Sequence, residues 1–479
     1  MPQGLPGATR PSSPVLPRTG VAWAAILLLV AAVTVLQVVA PRGGEGGGKF
    51  PLRVMEQQVR IQYGIRGLAD SLGAVPVPDD LEALRKAIGT GPPAVRLRFA
   101  VVAGDLAGPA AARAELDRLE GLLRKEGRKL EGEEAEVERT LRALYAGDGS
   151  VDALPQDRRE VLRRGLGWFG DLALAPEGSP DRAAVLEGAD RLALILLGCG
   201  LAALLLLGTA FAAALLYWLR VLARGSRFRF EPGTSPSGFY AETFAAWLAW
   251  FLALSIGARA LQEAASDPAV RTGALFAVPV LSLAALGWPV LRGIPFARVR
   301  EDLGLRLSGT PVRDVLAGIG CWVLGLPVLF LAGIATFTAL AASGLFQQDP
   351  EALEGPTVPG HPVVEELAGG FSWALVVVLA CVLAPIVEET FFRGALYRHL
   401  RDATAGRGRA ASVAISALVS GLVFGSIHPQ GVFFIPLLAA VAWPLAHARE
   451  WRDSLVAPMA AHALHNAIVT GFAWLLLGG

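Results

Sequence analysis

Repeated apolar runs of bilayer-spanning length restrict this chain to an all-helical membrane fold. A helix needs about 20 residues to cross the hydrocarbon core. Inside that core every backbone N–H and C=O must be paired within the segment or a closed barrel. Runs near 192–219, 239–261, 274–291, 315–342, 371–392, 410–428, 431–447 and 454–477 meet or approach that length. The runs at 274–291 and 431–447 are the short ones, and are expected to be tilted or partly spanning. A further run from Val21 to Ala40 follows Arg10 and Arg18. Val38 and Ala40 have the small-residue character of a signal cleavage site, but the run is long and Pro41 follows at once. An uncleaved anchor is the better reading. The expected fold is an all-α polytopic bundle of about nine transmembrane helices.

Composition agrees. Hydrophobic residues make up 53% of the 479 and charged residues 18%, below the usual quarter of a soluble domain. The net charge of +1 is uninformative, and with no basic stripe nucleic acid is not an expected partner. Cys199, Cys321 and Cys381 all lie in apolar runs and give neither a disulfide framework nor a metal pattern.

Between the spans the organisation is uneven. Residues 1–20 are rich in Pro, Gly and Ser and are expected to form a disordered cytoplasmic tail, with 21–40 the anchor. Residues 41–190 read as a mainly helical soluble insertion behind a glycine-rich linker. Leu116, Leu119, Leu123, Leu130, Val137, Leu141 and Leu144 recur at helical spacing among charged residues, and a hairpin of two amphipathic helices is the simplest structure for them. Residues 191–370 hold further spans and loops, and 371–479 the chemistry described next. Arginines set the orientation. They follow alternate spans: Arg220, Arg224, Arg227 and Arg229; Arg292, Arg298, Arg300, Arg306 and Arg313; Arg393, Arg398, Arg401, Arg407 and Arg409; Arg449 and Arg452. The other loops are acidic or neutral. The expected topology is a cytoplasmic N-terminus and an extracytoplasmic 41–190 insertion in the cytoplasmic membrane.

The chemistry sits in Pro385-Ile-Val-Glu388-Glu389-Thr-Phe-Phe-Arg393-Gly394. Two adjacent carboxylates at the edge of an apolar run are costly to bury and call for a function. Glu389 and Arg393 are four apart and share a helix face. Glu388 is turned about 100° away and has no such partner. The unpaired carboxyl is the one suited to general-base work, and the Glu389–Arg393 pair is expected to hold the helix. His428 precedes Pro429, which cannot continue a helix, with Phe424 one turn back. His462 and Asn466 share a face in the last span and suit an oxyanion site. Glutamate, histidine, histidine and asparagine form a hydrolase inventory that needs no serine or cysteine nucleophile.

Glu-Glu-Thr-Phe-Phe-Arg, Phe-Gly-Ser-Ile-His and His-Ala-Leu-His-Asn, in this order on membrane segments, resemble the motifs of the CPBP family. These are intramembrane glutamate proteases related to the CAAX prenyl endopeptidase of the Rce1 type, also called the Abi family. The resemblance covers roughly 371–477. It implies an all-helical membrane fold with a conical cavity, water activated by Glu388 and His428, and an oxyanion hole of His462 and Asn466. Glu389 and Arg393 match the remaining motif positions. The insertion and the first anchor lie outside the pattern.

A zinc site of Glu388, His428 and His462 with an open position is the competing reading of the same residues. No His-Glu-x-x-His helix is present, and Asn466 suits an oxyanion better than a metal, so hydrolysis without a cofactor is preferred. The expected partners are the bilayer and a membrane-associated peptide or protein substrate. A non-enzymatic scaffold or immunity factor is the alternative function, and a proton-relay transporter a third.

Overall fold

The computed structural model describes residues 16–39, 49–73, 80–146, 151–226, 228–231, 235–307, 310–344, 351–353 and 372–477. Among these every regular element is a helix. Eight helices are long and apolar enough to cross a membrane. The chain is a multi-pass membrane protein. The ninth expected crossing falls on α1 (Thr19–Val39), whose described apolar stretch, Thr19–Val35, is shorter. Thr19 and Gly20, read from sequence as tail, open this helix; residues 1–15 of that tail lie outside the described residues.

The chain divides into two compact units. One is built largely from the insertion. It holds α2 (Lys49–Ser71), α3 (Leu81–Ile88), α4 (Pro93–Ala107), α5 (Pro109–Lys125), α6 (Gly132–Leu144), α7 (Gln156–Leu166) and α8 (Trp168–Ala173). The hairpin expected from the leucine pattern is α5–α6, with Leu116, Leu119, Leu123, Val137, Leu141 and Leu144 all buried. It is one part of a larger helical unit rather than the whole. Prolines at the starts of α4 and α5, and glycines with positive φ at 108, 127 and 167, cut the chain into more pieces than the hydrophobic period indicates. Phe99, Val101, Val102 and Phe169 are fully buried in its core. Leu353, far along the chain, is buried in the same core. Its neighbours are held there too: Arg96 Nη2 donates to Ala352 O at 3.0 Å, and Lys125 pairs with Glu351 at 2.9 Å.

The other unit contains α1, residues 210–336 and residues 377–468. Its elements are drawn from α9 (Pro180–Arg224), α10 (Gly238–Ala264), α11 (Pro268–Leu291), α12 (Phe296–Leu303), α13 (Pro311–Ala342), α14 (Trp373–Ala403), α15 (Arg409–Ile427), α16 (Val432–Arg452) and α17 (Val456–Leu476). Glycine permits close helix packing, as is common in membranes. A Cβ on Gly421 would stand 3.0 Å from Ala439 O, and one on Gly425 2.9 Å from Ile435 O, so α15 and α16 meet nearly backbone to backbone.

Helix α14 runs on to Ala403, eleven residues past the expected end at 392. Arg393, Arg398 and Arg401 are therefore helical and buried, not loop charges. Each has a carboxylate: Glu389 at 2.9 Å, Asp302 at 3.4 Å and Glu450 at 2.6 Å. Arg449 and Arg452 likewise lie within α16, paired with Asp453 at 3.0 Å and Asp314 at 2.5 Å. Internal acids thus satisfy charges that sequence reading assigned to solvent. Helix α1 is also integral to this unit: Trp23 Nε1 donates to His399 Nε2 at 3.0 Å, and Thr34 Oγ1 to Ser426 O at 3.2 Å.

Candidate active site

Helix α14 is irregular where the chemistry lies. Val378–Leu383 and Thr390–Leu396 are π-helical, and the six residues between them, Ala384–Glu389, are α-helical. Such wide turns often mark functional sites. They set the angular phase of Glu388 and Glu389 independently of the helix on either side. Below them is an aromatic floor. Trp247 on α10 stacks on Phe391, with centroids 4.8 Å apart, and Phe392 meets Phe424 edge-on at 5.1 Å.

The two glutamates diverge as the helical pitch requires. Glu389 is fully buried and accepts from Arg393 Nη1 at 2.9 Å. Arg393 also donates from Nη2 to Ala442 O at 3.3 Å and stands over the Phe424 ring. Glu388 is about a quarter exposed, on the wall of a cavity of about 430 Å³. Trp247, Phe251 and Ser255 of α10, Val278 of α11, and His428 and Pro429 share that wall. The cavity is mainly apolar, with Arg259 and Gln262 adding polar groups from α10. Its size suits a short peptide stretch or small ligand.

His428 is the residue that ends α15, with extended backbone ahead of Pro429. Its Nδ1 lies 2.6 Å from Phe424 O, and a carbonyl only accepts, so Nδ1 carries the proton. Nε2 then faces Glu388 Oε2 at 3.8 Å. His462 Nε2 lies at the same 3.8 Å from that oxygen, and His462 Nδ1 is 2.8 Å from Glu389 Oε1. One carboxylate oxygen therefore stands between two imidazoles, too far from either for a direct hydrogen bond.

Glu388, Glu389, Arg393, Phe424, His428 and His462 lie together in the structure. Asn466 stands one turn from His462, and its Nδ2 donates to Ala380 O at 2.7 Å, within the first π-helical stretch. Sequence reasoning missed one contact and two residues. The contact of His462 with Glu389 joins residues 73 apart, Ala380 acts through its carbonyl, and Trp247 belongs to a distant span. The only signal for them was Pro385 and the aromatic pair Phe391-Phe392 in an apolar run. Among the described residues, no group of three or more His, Cys, Asp or Glu side chains is placed to hold a metal ion.

Residues 370–468 match the family described as type II CAAX prenyl endopeptidase Rce1-like. The match contains all seven residues singled out from the sequence. No curated protein and no solved structure matches the chain.

Proposed function

We propose, from the premise that residues 370–468 belong to the Rce1-like family of membrane-embedded proteases, that this chain is an intramembrane endopeptidase using a glutamate and a histidine to activate water. The observation that carries the reading is Glu388 Oε2 at 3.8 Å from Nε2 of both His428 and His462, where Glu388 and His428 line a cavity. In this reading a water between Glu388 and His428 gives one proton to that pair. Its oxygen attacks the peptide carbonyl carbon as the C=O π pair moves to oxygen. His462 and Asn466 are the oxyanion partners, and Asn466 Nδ2 donates to Ala380 O in this structure. The tetrahedral species collapses as the C–N bond breaks, and the proton held by the pair passes to the leaving amine. No metal enters these steps.

The substrate is a peptide bond of a membrane-associated peptide or protein. The cytoplasmic membrane, an inward N-terminus and an extracytoplasmic 41–190 insertion complete the reading, on the strength of the arginines near 220–229 and 292–313.

The test compares new protein N-termini in membranes from cells carrying the native chain or Glu388→Gln at matched abundance. Termini made only by the native chain are expected, and they should persist after chelation. Removal of a general base typically costs about 10²–10⁴-fold in rate. Identical N-termini in the two strains, with both proteins folded, would favour a scaffold or immunity factor that keeps these residues for packing.

A further inference from the structure

Sequence spacing gives Glu389 one partner, Arg393. The structure gives it two. Oε1 receives Arg393 Nη1 at 2.9 Å and faces His462 Nδ1 at 2.8 Å, with the Glu389 side chain fully buried and His462 4% exposed. We propose that Glu389 is a positioning residue of the active site, which fixes the ring and the proton of His462 so that Nε2 faces the reacting atoms. This rests on the protease reading for its catalytic meaning but not for its structural test.

The argument is one of donors and acceptors. An ionised carboxylate only accepts, so a short contact to Nδ1 requires the proton there. Burial keeps water from competing for either group. A planar ring tied at Nδ1 has its Nε2 direction set, and here that direction is toward Glu388. His428 is treated in parallel, with Phe424 O in place of the carboxylate. The two supports differ in charge, however. A carboxylate on Nδ1 also stabilises the imidazolium, the form in which Nε2 donates to an oxyanion, whereas a neutral carbonyl does so less. The arrangement therefore assigns unlike tasks to the two histidines: His428 presents an acceptor, and His462 is backed as a donor. It also gives a reason for two adjacent glutamates. At about 100° per residue, one faces the cavity and the next faces the histidine behind it. Arg393 Nη1, donating to Oε1 at 2.9 Å, then keeps Glu389 aimed.

The test is the histidine side-chain ¹⁵N spectrum of the full-length chain in detergent, with the His462 signal assigned by its loss in His462→Gln. The expected native spectrum has a protonated Nδ1 on His462. In Glu389→Ala that preference is lost; in Glu389→Gln, whose amide oxygen still accepts, it is kept. A native His462 with its only proton on Nε2 would overturn the proposal without any variant, which guards against Glu389→Ala failing to fold. So would identical His462 signals in the native chain and folded Glu389→Ala. A second arm uses any fragment that the native chain releases and Glu388→Gln does not. There Glu389→Ala is expected to lower kcat about 10–100-fold, as loss of a ligand-orienting neighbour does, with KM unchanged and Glu389→Gln partly restoring it. A change in KM alone would count against positioning. If no such fragment exists, the protease reading fails while the spectra still decide the role of Glu389.

Discussion

Arg393–Glu389 in the membrane unit and Arg124–Glu120 in the insertion are the same motif in different media. Both are i,i+4 pairs, at 2.9 and 2.8 Å. The first has side chains 1% and 0% exposed, the second 77% and 55%. Water screens the second and offers each partner an alternative. Inside the membrane unit no such alternative exists, so each buried charge must find its partner in the fold. That is why α14 carries three buried arginines, each matched to an acid. In the insertion the division is reversed: an apolar core is closed by Phe99, Leu141 and Phe169, and many acids and bases lie outside it. Position relative to solvent, rather than contact distance, separates an essential charge from a decorative one.

The comparison breaks most easily at Arg393. Arg393→Ala leaves Glu389 buried without its cation, which costs about 3–5 kcal/mol. Unfolding of the purified variant in mild detergent should start at markedly lower temperature, and abundance in membranes should fall. A variant as stable as the native chain would mean that His462 alone satisfies Glu389. A smaller effect is expected at Thr34, whose hydroxyl is held between Val30 O at 2.9 Å and Ser426 O at 3.2 Å. Hydrogen bonds between membrane helices are worth about 0.6 kcal/mol on average and up to about 1.7, so Thr34→Val should destabilise within that range. Because Ser426 lies two residues before His428, cleavage should weaken along with stability; cleavage untouched by the variant would reduce α1 to an anchor. The smallest effect belongs to Arg124→Ala, at about 0–1 kcal/mol, and it should vanish in high salt. A loss comparable to that of Arg393→Ala would refute the contrast altogether.

Local pattern made part of this legible. The spans follow from apolar length, the α5–α6 hairpin from leucine spacing, and the Glu389–Arg393 pair from i,i+4 geometry. His428 at the end of α15 follows from Pro429. What escaped depends on the mutual register of helices that are distant in sequence. Nothing near His462 announces that its Nδ1 meets Glu389, or that Asn466 meets the carbonyl of Ala380. The π-helical stretches defeat a constant 100° step, so facing residues cannot be counted off from either end of α14. The docking of Leu353 in the insertion core was hidden for a similar reason, since the contact joins residues far apart in the sequence. The buried arginines were misread because charge near the end of an apolar run looks the same whether the helix stops or continues.

The wide turns of α14 convert chain length into active-site angle. A π-bulge holds about one residue more than a regular turn. Losing one residue from Val378–Leu383 would restore ordinary winding and swing everything upstream by about 100°, taking Ala380 away from Asn466 while Glu388 kept its place. The same loss in Thr390–Leu396 would act on the other side, turning Arg398 and Arg401 away from Asp302 and Glu450 and parting Arg393 from Glu389. Single-residue gaps flanking the glutamates are thus a route by which chains of this kind can diverge in geometry while every motif letter stays the same.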